Sequence, residues 1–180
     1  MKRKLACTLA VAAALSATML VGCAGQQAAT SAGAQGGSLT AAQSEADTLK
    51  ATFVTPAPAD GAISIAVGGL TTSPTYINYD ANGTTVQLIA GIASDGSARV
   101  ALNTCQVCNP SPKAYFAQDG SKLVCQNCGN KFTMDDVGDA ASGCNPTQVE
   151  FAESDGVLSV PTSVLDAEAK AFAKWQGPTA

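Results

Sequence analysis

Hydrophobic and polar positions divide the chain into three regimes. Leu5 to Val21 is an almost unbroken apolar run behind the charged triplet Lys2-Arg3-Lys4. Ala24 to Lys50 is built mostly of Ala, Gly, Gln, Ser and Thr, with almost no large apolar side chain. Such a segment cannot bury enough surface to offset its ordering entropy, so it predicts a flexible tether, with at most a weak helix over Thr40 to Lys50. From Ala51 onward, short alternating runs are broken by turn residues. Ile63-Ser64-Ile65-Ala66-Val67 and Thr75-Tyr76-Ile77-Asn78-Tyr79 alternate, and Asp80-Ala81-Asn82-Gly83 reads as a hairpin turn. Thr84 to Ala93 and Ser97 to Leu102 flank Asp95-Gly96. Ala114 to Ala117 and Lys122 to Val124 flank Asp119-Gly120. Thr147 to Phe151 and Val157 to Val160 flank Asp155-Gly156. Asp/Asn-Gly pairs supply the positive φ angles that short hairpin loops demand. Pro161 to Trp175 reads as a helix, capped by Ser159 or Thr162, with Leu165, Ala169, Phe172 and Ala173 on one face. The pattern predicts one mainly β domain over 51–180, antiparallel and rich in hairpins, closed by a C-terminal α-helix.

The first regime predicts the compartment. The apolar run ends in Leu20-Val21-Gly22-Cys23, a large residue, a small one and a cysteine, which reads as a lipoprotein signal of residues 1–22. Cleavage would leave Cys23 as the diacylglyceryl-bearing first residue of a tether over 23–50. About 17 apolar residues sits at the low limit for a membrane span, and Ala24-Gly25-Gln26-Gln27 suits cleavage better than a stop-transfer flank. The expected location is the extracytoplasmic face of a bacterial membrane, held there by lipid. The tether's root-mean-square reach is roughly 25–30 Å, from 5–6 Å times the square root of its length.

Charge then narrows the partners. Without the first 22 residues, seven basic side chains face fourteen acidic ones. This balance argues against nucleic acid, whose affinity comes from cationic contacts to phosphate. It also leaves the acyl anchor, not headgroup attraction, to hold the domain at the membrane.

The candidate chemistry is sulfur. Cys105-x2-Cys108 and Cys125-x2-Cys128 are separated by sixteen residues, and Cys144 follows fifteen residues later. The chain has no histidine, which excludes a His-containing finger, a Ser-His-Asp triad, axial His haem and a His-based copper site. Two Cys-x-x-Cys knuckles at this spacing match a four-thiolate metal site. With a hairpin between them, they predict a zinc-ribbon or rubredoxin-like Cys ribbon. Gly129 gives the second knuckle a corner free of Cβ, where amides can turn towards sulfur. Lys113, Lys122 and Lys131 lie in the same segment and can offset thiolate charge. Three other readings compete: paired disulfides, as in exported proteins; redox-active dithiols, for which no βαβ context exists; and buried apolar cysteine for Cys144. Cys144 can otherwise serve as a ligand or as a resolving thiol. Asp135-Asp136 with Asp139 reads as a solvated acidic loop before a hard-cation site. Tyr115, Phe116 and Phe132 read as core. No base–nucleophile pair is evident, so the pattern does not favour substrate turnover. Iron and zinc accept the same four sulfurs, which leaves the metal open at this point.

Residues 95–102 (Asp-Gly-Ser-Ala-Arg-Val-Ala-Leu) leading into Cys105-Gln106-Val107-Cys108 resemble the opening of the FtrD-like domain of membrane iron–sulfur proteins. Leu123-Val124-Cys125-Gln126-Asn127-Cys128-Gly129-Asn130-Lys131-Phe132, Val137-Gly138 and Gly143-Cys144-Asn145-Pro146 continue the resemblance, which spans about Tyr76 to Val160. It implies an iron–sulfur centre or mononuclear iron held by Cys105, Cys108, Cys125, Cys128 and Cys144. It also implies electron transfer at a membrane, with a ferrous-iron permease or redox protein as partner. Other members often fuse the domain to many membrane-spanning helices; this chain shows only an anchor signal. Its first knuckle runs into Asn109-Pro110 instead of the glycine of a rubredoxin knuckle, so cluster type stays open.

The lipoprotein reading has a direct check. Expressed in a bacterium, the Cys23→Ala chain is expected to lose labelling by radioactive fatty acid and to leave the detergent phase on Triton X-114 partitioning, whereas the parent stays there.

Overall fold

Asn82 and Gly83, with φ of 53° and 89°, form the two-residue loop of the central hairpin. Asp80 Oδ1 accepts the Gly83 amide at 2.7 Å, and Ala81 faces Thr84 across the turn. That loop joins β3 (Thr75–Ala81) to β4 (Thr84–Ile92) in the register that places Tyr76 opposite Ile89 and Tyr79 opposite Val86. The computed structural model describes residues 50–138 and 143–180. The expected signal, Cys23, most of the tether and Asp139 lie outside the described residues.

Around this hairpin the remaining strands are β1 (Thr52–Val54), β2 (Ala62–Ala66), β5 (Ala98–Cys105), β6 (Phe116–Asp119), β7 (Lys122–Cys125), β8 (Lys131–Phe132), β9 (Pro146–Gln148), β10 (Ala152–Ser154) and β11 (Val157–Pro161). They form three sheets, ordered β1-β3-β4-β5-β9, β10-β11-β2 and β6-β7-β8. Every pairing is antiparallel except β1 on β3. The mainly β expectation therefore holds, and the helix α1 (Thr162–Glu168) follows β11.

The five-stranded sheet is covered on both faces, which explains why β4 is buried at six successive positions. Side chains alternate across a strand. One face sends Ile77, Tyr79, Val86, Leu88, Val100 and Leu102 against Ile63, Ile65, Leu158 and Val160 of the second sheet and Leu165 and Phe172 beyond it. The opposite face sends Tyr76, Ile89 and Ala101 against Ala114, Phe116, Leu123, Met134 and Val137. This second core seats the Cys-bearing ribbon on the main sheet.

A row of amides runs across that same face. Gln87 Nε2 donates to Asn78 Oδ1 (2.7 Å) and Pro178 O (2.8 Å). Asn103 Nδ2 donates to Gln87 Oε1 (2.6 Å) and Phe116 O (3.2 Å), while Asn103 Oδ1 accepts the Phe116 amide at 2.7 Å. Gln87 and Asn103 are fully buried, and buried polar groups persist where such partners exist.

Four expectations need correcting. The helix is shorter than Pro161 to Trp175: α1 ends at Glu168 and a 3-10 turn covers Ala169–Phe172. Neither suggested cap serves it, because Ser159 lies in β11 and Thr162 is already helical, its hydroxyl donating to Gly61 O at 3.0 Å. Ala173 is exposed, outside the apolar face kept by Leu165 and Phe172. The partner of β11 around Asp155-Gly156 is β10, not Thr147 to Phe151; β9 pairs with β5 instead. Among the described residues, no helix is long and apolar enough to cross a membrane.

Gln87→Leu removes one amide from the middle of the row and strands donors and acceptors on Asn78 and Asn103. It is expected to cost about 2–3 kcal/mol of stability, the penalty for unpaired buried polar groups, measured as a lowered urea midpoint at unchanged m-value.

Candidate metal centre

Each cysteine owes its position to a strand end or a turn. β5 delivers Cys105, fully buried, just past an irregularity in the β5–β9 register between Leu102 and Cys105. The Asn109 amide then donates to Cys105 O at 3.0 Å, and the Cys108 amide points at Cys105 Sγ at 3.4 Å. β7 delivers Cys125, also fully buried, and the Gly129 amide donates to Cys125 O at 2.8 Å. The two knuckles thus make the same five-residue turn. They differ at its last position: Gly129 has φ of 78° and Asn109 has no positive φ.

Further bonds fix the knuckles to each other and to the body. The Gln126 amide donates to Tyr115 O (2.8 Å), and Ser111 Oγ donates to Asn127 Oδ1 (2.7 Å), linking one knuckle to the other. Asn109 Nδ2 donates to Thr104 Oγ1 (2.9 Å) and Ala171 O (2.7 Å). The C-terminal segment closes over this side: Trp175 Nε1 donates to Asn103 O (2.8 Å) and the Gln176 amide to Pro112 O (3.0 Å). Cys144 arrives because β9 pairs with the end of β5, Pro146 facing Cys105, while Asn145 O accepts the Gln106 amide at 3.1 Å.

The result is one cluster of five sulfurs. Cys144 Sγ lies 2.9 Å from Cys105 Sγ, 2.9 Å from Cys128 Sγ and 3.9 Å from Cys108 Sγ. Cys125 Sγ lies 3.8 Å from Cys108 Sγ. The sulfurs of Cys105, Cys108, Cys125 and Cys144 all fall within 4.8 Å of one another. All five residues are thiols; Cys105 and Cys125 are buried, Cys108 and Cys144 partly so, and Cys128 is exposed. The paired thiols therefore converge, and the fifth joins them.

The donor set fits a thiophilic metal. Thiolate–metal bonds of about 2.3 Å limit two sulfurs on one ion to a separation of roughly 4.6 Å, close to the spread of the compact four. The carboxylates and lysines of this segment do not compete. Asp135 Oδ1 accepts the Ser94 amide at 2.6 Å, and Asp136 Oδ2 accepts both the amide and the hydroxyl of Thr133 at 2.7 Å. These carboxylates act as turn acceptors. Lys113, Lys122 and Lys131 are exposed, and Lys131 Nζ pairs with Asp119 Oδ2 at 2.8 Å instead of with sulfur. Phe116 is core, with Phe132 edge-on to it at 5.5 Å, and Tyr115 is partly buried beside Trp175 at 5.9 Å. Asn145 Oδ1 is buried beside Cys144 with no hydrogen-bond donor among the described residues.

Proximity splits the thiols electrostatically. Burial pushes Cys128 up, but hydrogen bonds from the Cys144 thiol and the Asn130 amide outweigh it and bring Cys128 down to about 7. Cys105 is also net lowered: burial opposes ionisation, while the Cys144 thiol and the Cys108 and Val107 amides favour it. Burial pushes Cys108 up to about 12 and raises Cys125. Cys144 is driven furthest up, by burial first and then by the neighbouring sulfurs of Cys105 and Cys128, between which its one proton can be shared. Without metal, the thiol hardest to ionise, Cys144, lies between the two whose ionisation is favoured.

Trp175, Asn109, Asn127 and Asn145 were not among the sequence candidates. Trp175 falls just after the helical stretch and carries no local signal of a role at the ribbon; Asn109 and Asn127 at least flank or sit within the knuckles.

In the reduced, metal-free protein, Cys128 is expected to be the first cysteine alkylated by iodoacetamide at pH 7. Its pKa lies below the ordinary thiol value, so about half is thiolate there. Its rate should fall as pH drops through 7 and level off above 8, while Cys108 stays slow until pH far exceeds that. Peptide mass mapping over a pH series checks both.

Comparison with known proteins adds the family. No curated protein and no solved structure matches the chain. The family model described as "Membrane iron-sulfur containing protein FtrD-like" matches residues 71–172, more than half of the chain and including all five clustered cysteines. The chain belongs to the FtrD-like family of membrane iron-sulfur containing proteins.

Proposed function

We propose that this protein is a lipid-anchored, extracytoplasmic electron-transfer protein with a cysteine-ligated iron centre, working beside a membrane iron transporter or redox partner. The observation that carries the reading is the convergence of five thiols, with no histidine in the chain, inside the segment matched by an iron–sulfur family. Cys105, Cys108, Cys125 and Cys144 form the compact set that would hold the iron. Bound iron supplies one-electron chemistry. The chain's own residues do the rest. The Cys108 amide directed at Cys105 Sγ stabilises sulfur-borne negative charge, and such contacts tune a metal–thiolate potential. Burial of Cys105 and Cys125 keeps water from that side, and the exposed Cys128 edge leaves a short path for an electron to a docked partner. The acyl anchor on Cys23 and the tether would keep the centre near the bilayer while letting it reorient.

The knuckle–hairpin–knuckle layout of β6 to β8 favours one second reading, a structural Zn2+ ribbon in an interaction module. Spectra distinguish the two. Purified without oxygen, the full chain is expected to be coloured, with thiolate-to-iron charge-transfer bands and stoichiometric iron; iron and sulfide analyses together give the nuclearity. A colourless protein with one zinc per chain selects the second reading, and a metal-free protein with disulfides removes both. Cys125→Ser, which removes a fully buried member of the compact set, is expected to reduce bound metal to less than about a tenth of the parent's at equal total metal.

A further inference from the structure

Five thiols surround a site that four would fill, and they are not equivalent. Cys105 and Cys125 are fully buried, Cys108 and Cys144 intermediate, Cys128 exposed. The set lying within 4.8 Å of one another omits Cys128. Yet Cys128 Sγ is as close to Cys144 Sγ, at 2.9 Å, as the buried Cys105 Sγ is on the other side. Cys144 therefore has two equal neighbours, an outer sulfur facing solvent and an inner one closed off from it. An ion arriving from solvent meets Cys128 first.

We propose that Cys128 is a capture thiol and not a resident ligand: it takes a thiophilic divalent cation from solvent together with Cys144, then hands it inward to Cys105, with Cys144 bonded throughout. The step is ligand exchange without change of oxidation state. On capture the Cys144 proton leaves to solvent as its sulfur bonds the cation; the bond from Cys128 sulfur to the cation then breaks as the bond from Cys105 sulfur forms, and any proton still on Cys105 leaves to solvent. Cys108 and Cys125, 3.8 Å apart, complete the inner set. This inference rests on the metal-centre reading above and adds the route by which that centre is loaded. The geometry supports a relay because a single shared sulfur avoids ever releasing a bare ion: at each stage the cation keeps at least two thiolates. It also accounts for one exposed cysteine beside four that are buried or partly buried.

The test is anaerobic stopped-flow loading of the reduced full chain with Co2+, whose thiolate charge-transfer and ligand-field bands report tetrahedral sulfur coordination, repeated with Fe2+. Cys128→Ser is expected to keep the parent's Co2+ spectrum and equilibrium affinity while loading at least about tenfold more slowly. Because affinity is unchanged, loss of Co2+ to a chelator must slow by the same factor, a second readout that simple misfolding would not give. Cys128→Ala should behave alike. Cys105→Ser should still load quickly but weakly, its ion stripped at once by chelator. The inference is overturned if either Cys128 variant loses the tetrahedral spectrum, since Cys128 would then be a ligand of the loaded site. It is equally overturned if both variants load and release at the parent's rates. A parent chain that binds neither Co2+ nor Fe2+ overturns the metal-centre reading itself, an outcome visible before any variant is made.

Discussion

Asn103 is the point on which the site's geometry depends. It sits two residues before Cys105 on β5, fully buried, and its side-chain amide bonds both the N–H and the C=O of Phe116, the first residue of β6. One side chain thus mimics a strand partner and docks the ribbon on the main sheet. The hydrogen bonds of Gln87 and Asn78 continue the row to the carbonyls of Pro178 and Thr179. With each amide donor matched, desolvating three polar side chains is offset by bonds that a low-dielectric interior strengthens. Replacing them with aliphatic groups would retain area but lose direction, and direction is what sets where Cys105 and Cys125 emerge.

From that anchor, the sulfur cluster follows. Two equivalent turns present four thiols, and an unrelated strand pairing, β9 on β5, brings in the fifth. Crowding five ionisable sulfurs without cations nearby is unfavourable to all but a few charges at once, because each thiolate raises the cost of the next. Protons relieve that repulsion in the metal-free state, with Cys144 in contact with a sulfur on either side. A divalent or trivalent cation relieves it far better. The lysines on the ribbon do not, since they point to solvent or to Asp119. The fold builds a thiol-rich pocket with no lysine paired to its sulfurs and leaves the neutralisation of its thiolates to whatever thiophilic ion binds.

Local chemistry was readable in the sequence; distant pairing was not. Asn82-Gly83 and Asp155-Gly156 announced their hairpins because positive φ is a property of the residues themselves, and both loops adopt it. The knuckle–hairpin–knuckle segment was readable for the same reason. β1, three residues pairing in parallel at a sheet edge, left no alternation long enough to detect. The partner of β9 was hidden because its mate, β5, lies more than forty residues earlier. Helical periodicity over Pro161 to Trp175 was real through Phe172, but tertiary bonds override it beyond: the chain turns so that Trp175 and Gln176 reach Asn103 and Pro112. Spacing revealed which cysteines belong together, but burial alone ranked them, and burial is a property of the whole fold.

The C-terminal turn has a practical consequence. Trp175 is the chain's sole tryptophan, and its indole bonds the carbonyl of Asn103 while its ring meets the edge of Tyr115, whose own carbonyl holds the Gln126 amide of the second knuckle. One chromophore therefore touches the supports of both knuckles. Its intrinsic emission provides a label-free optical signal of ribbon movement, and energy transfer or quenching by a coloured metal centre would register there without any engineered dye.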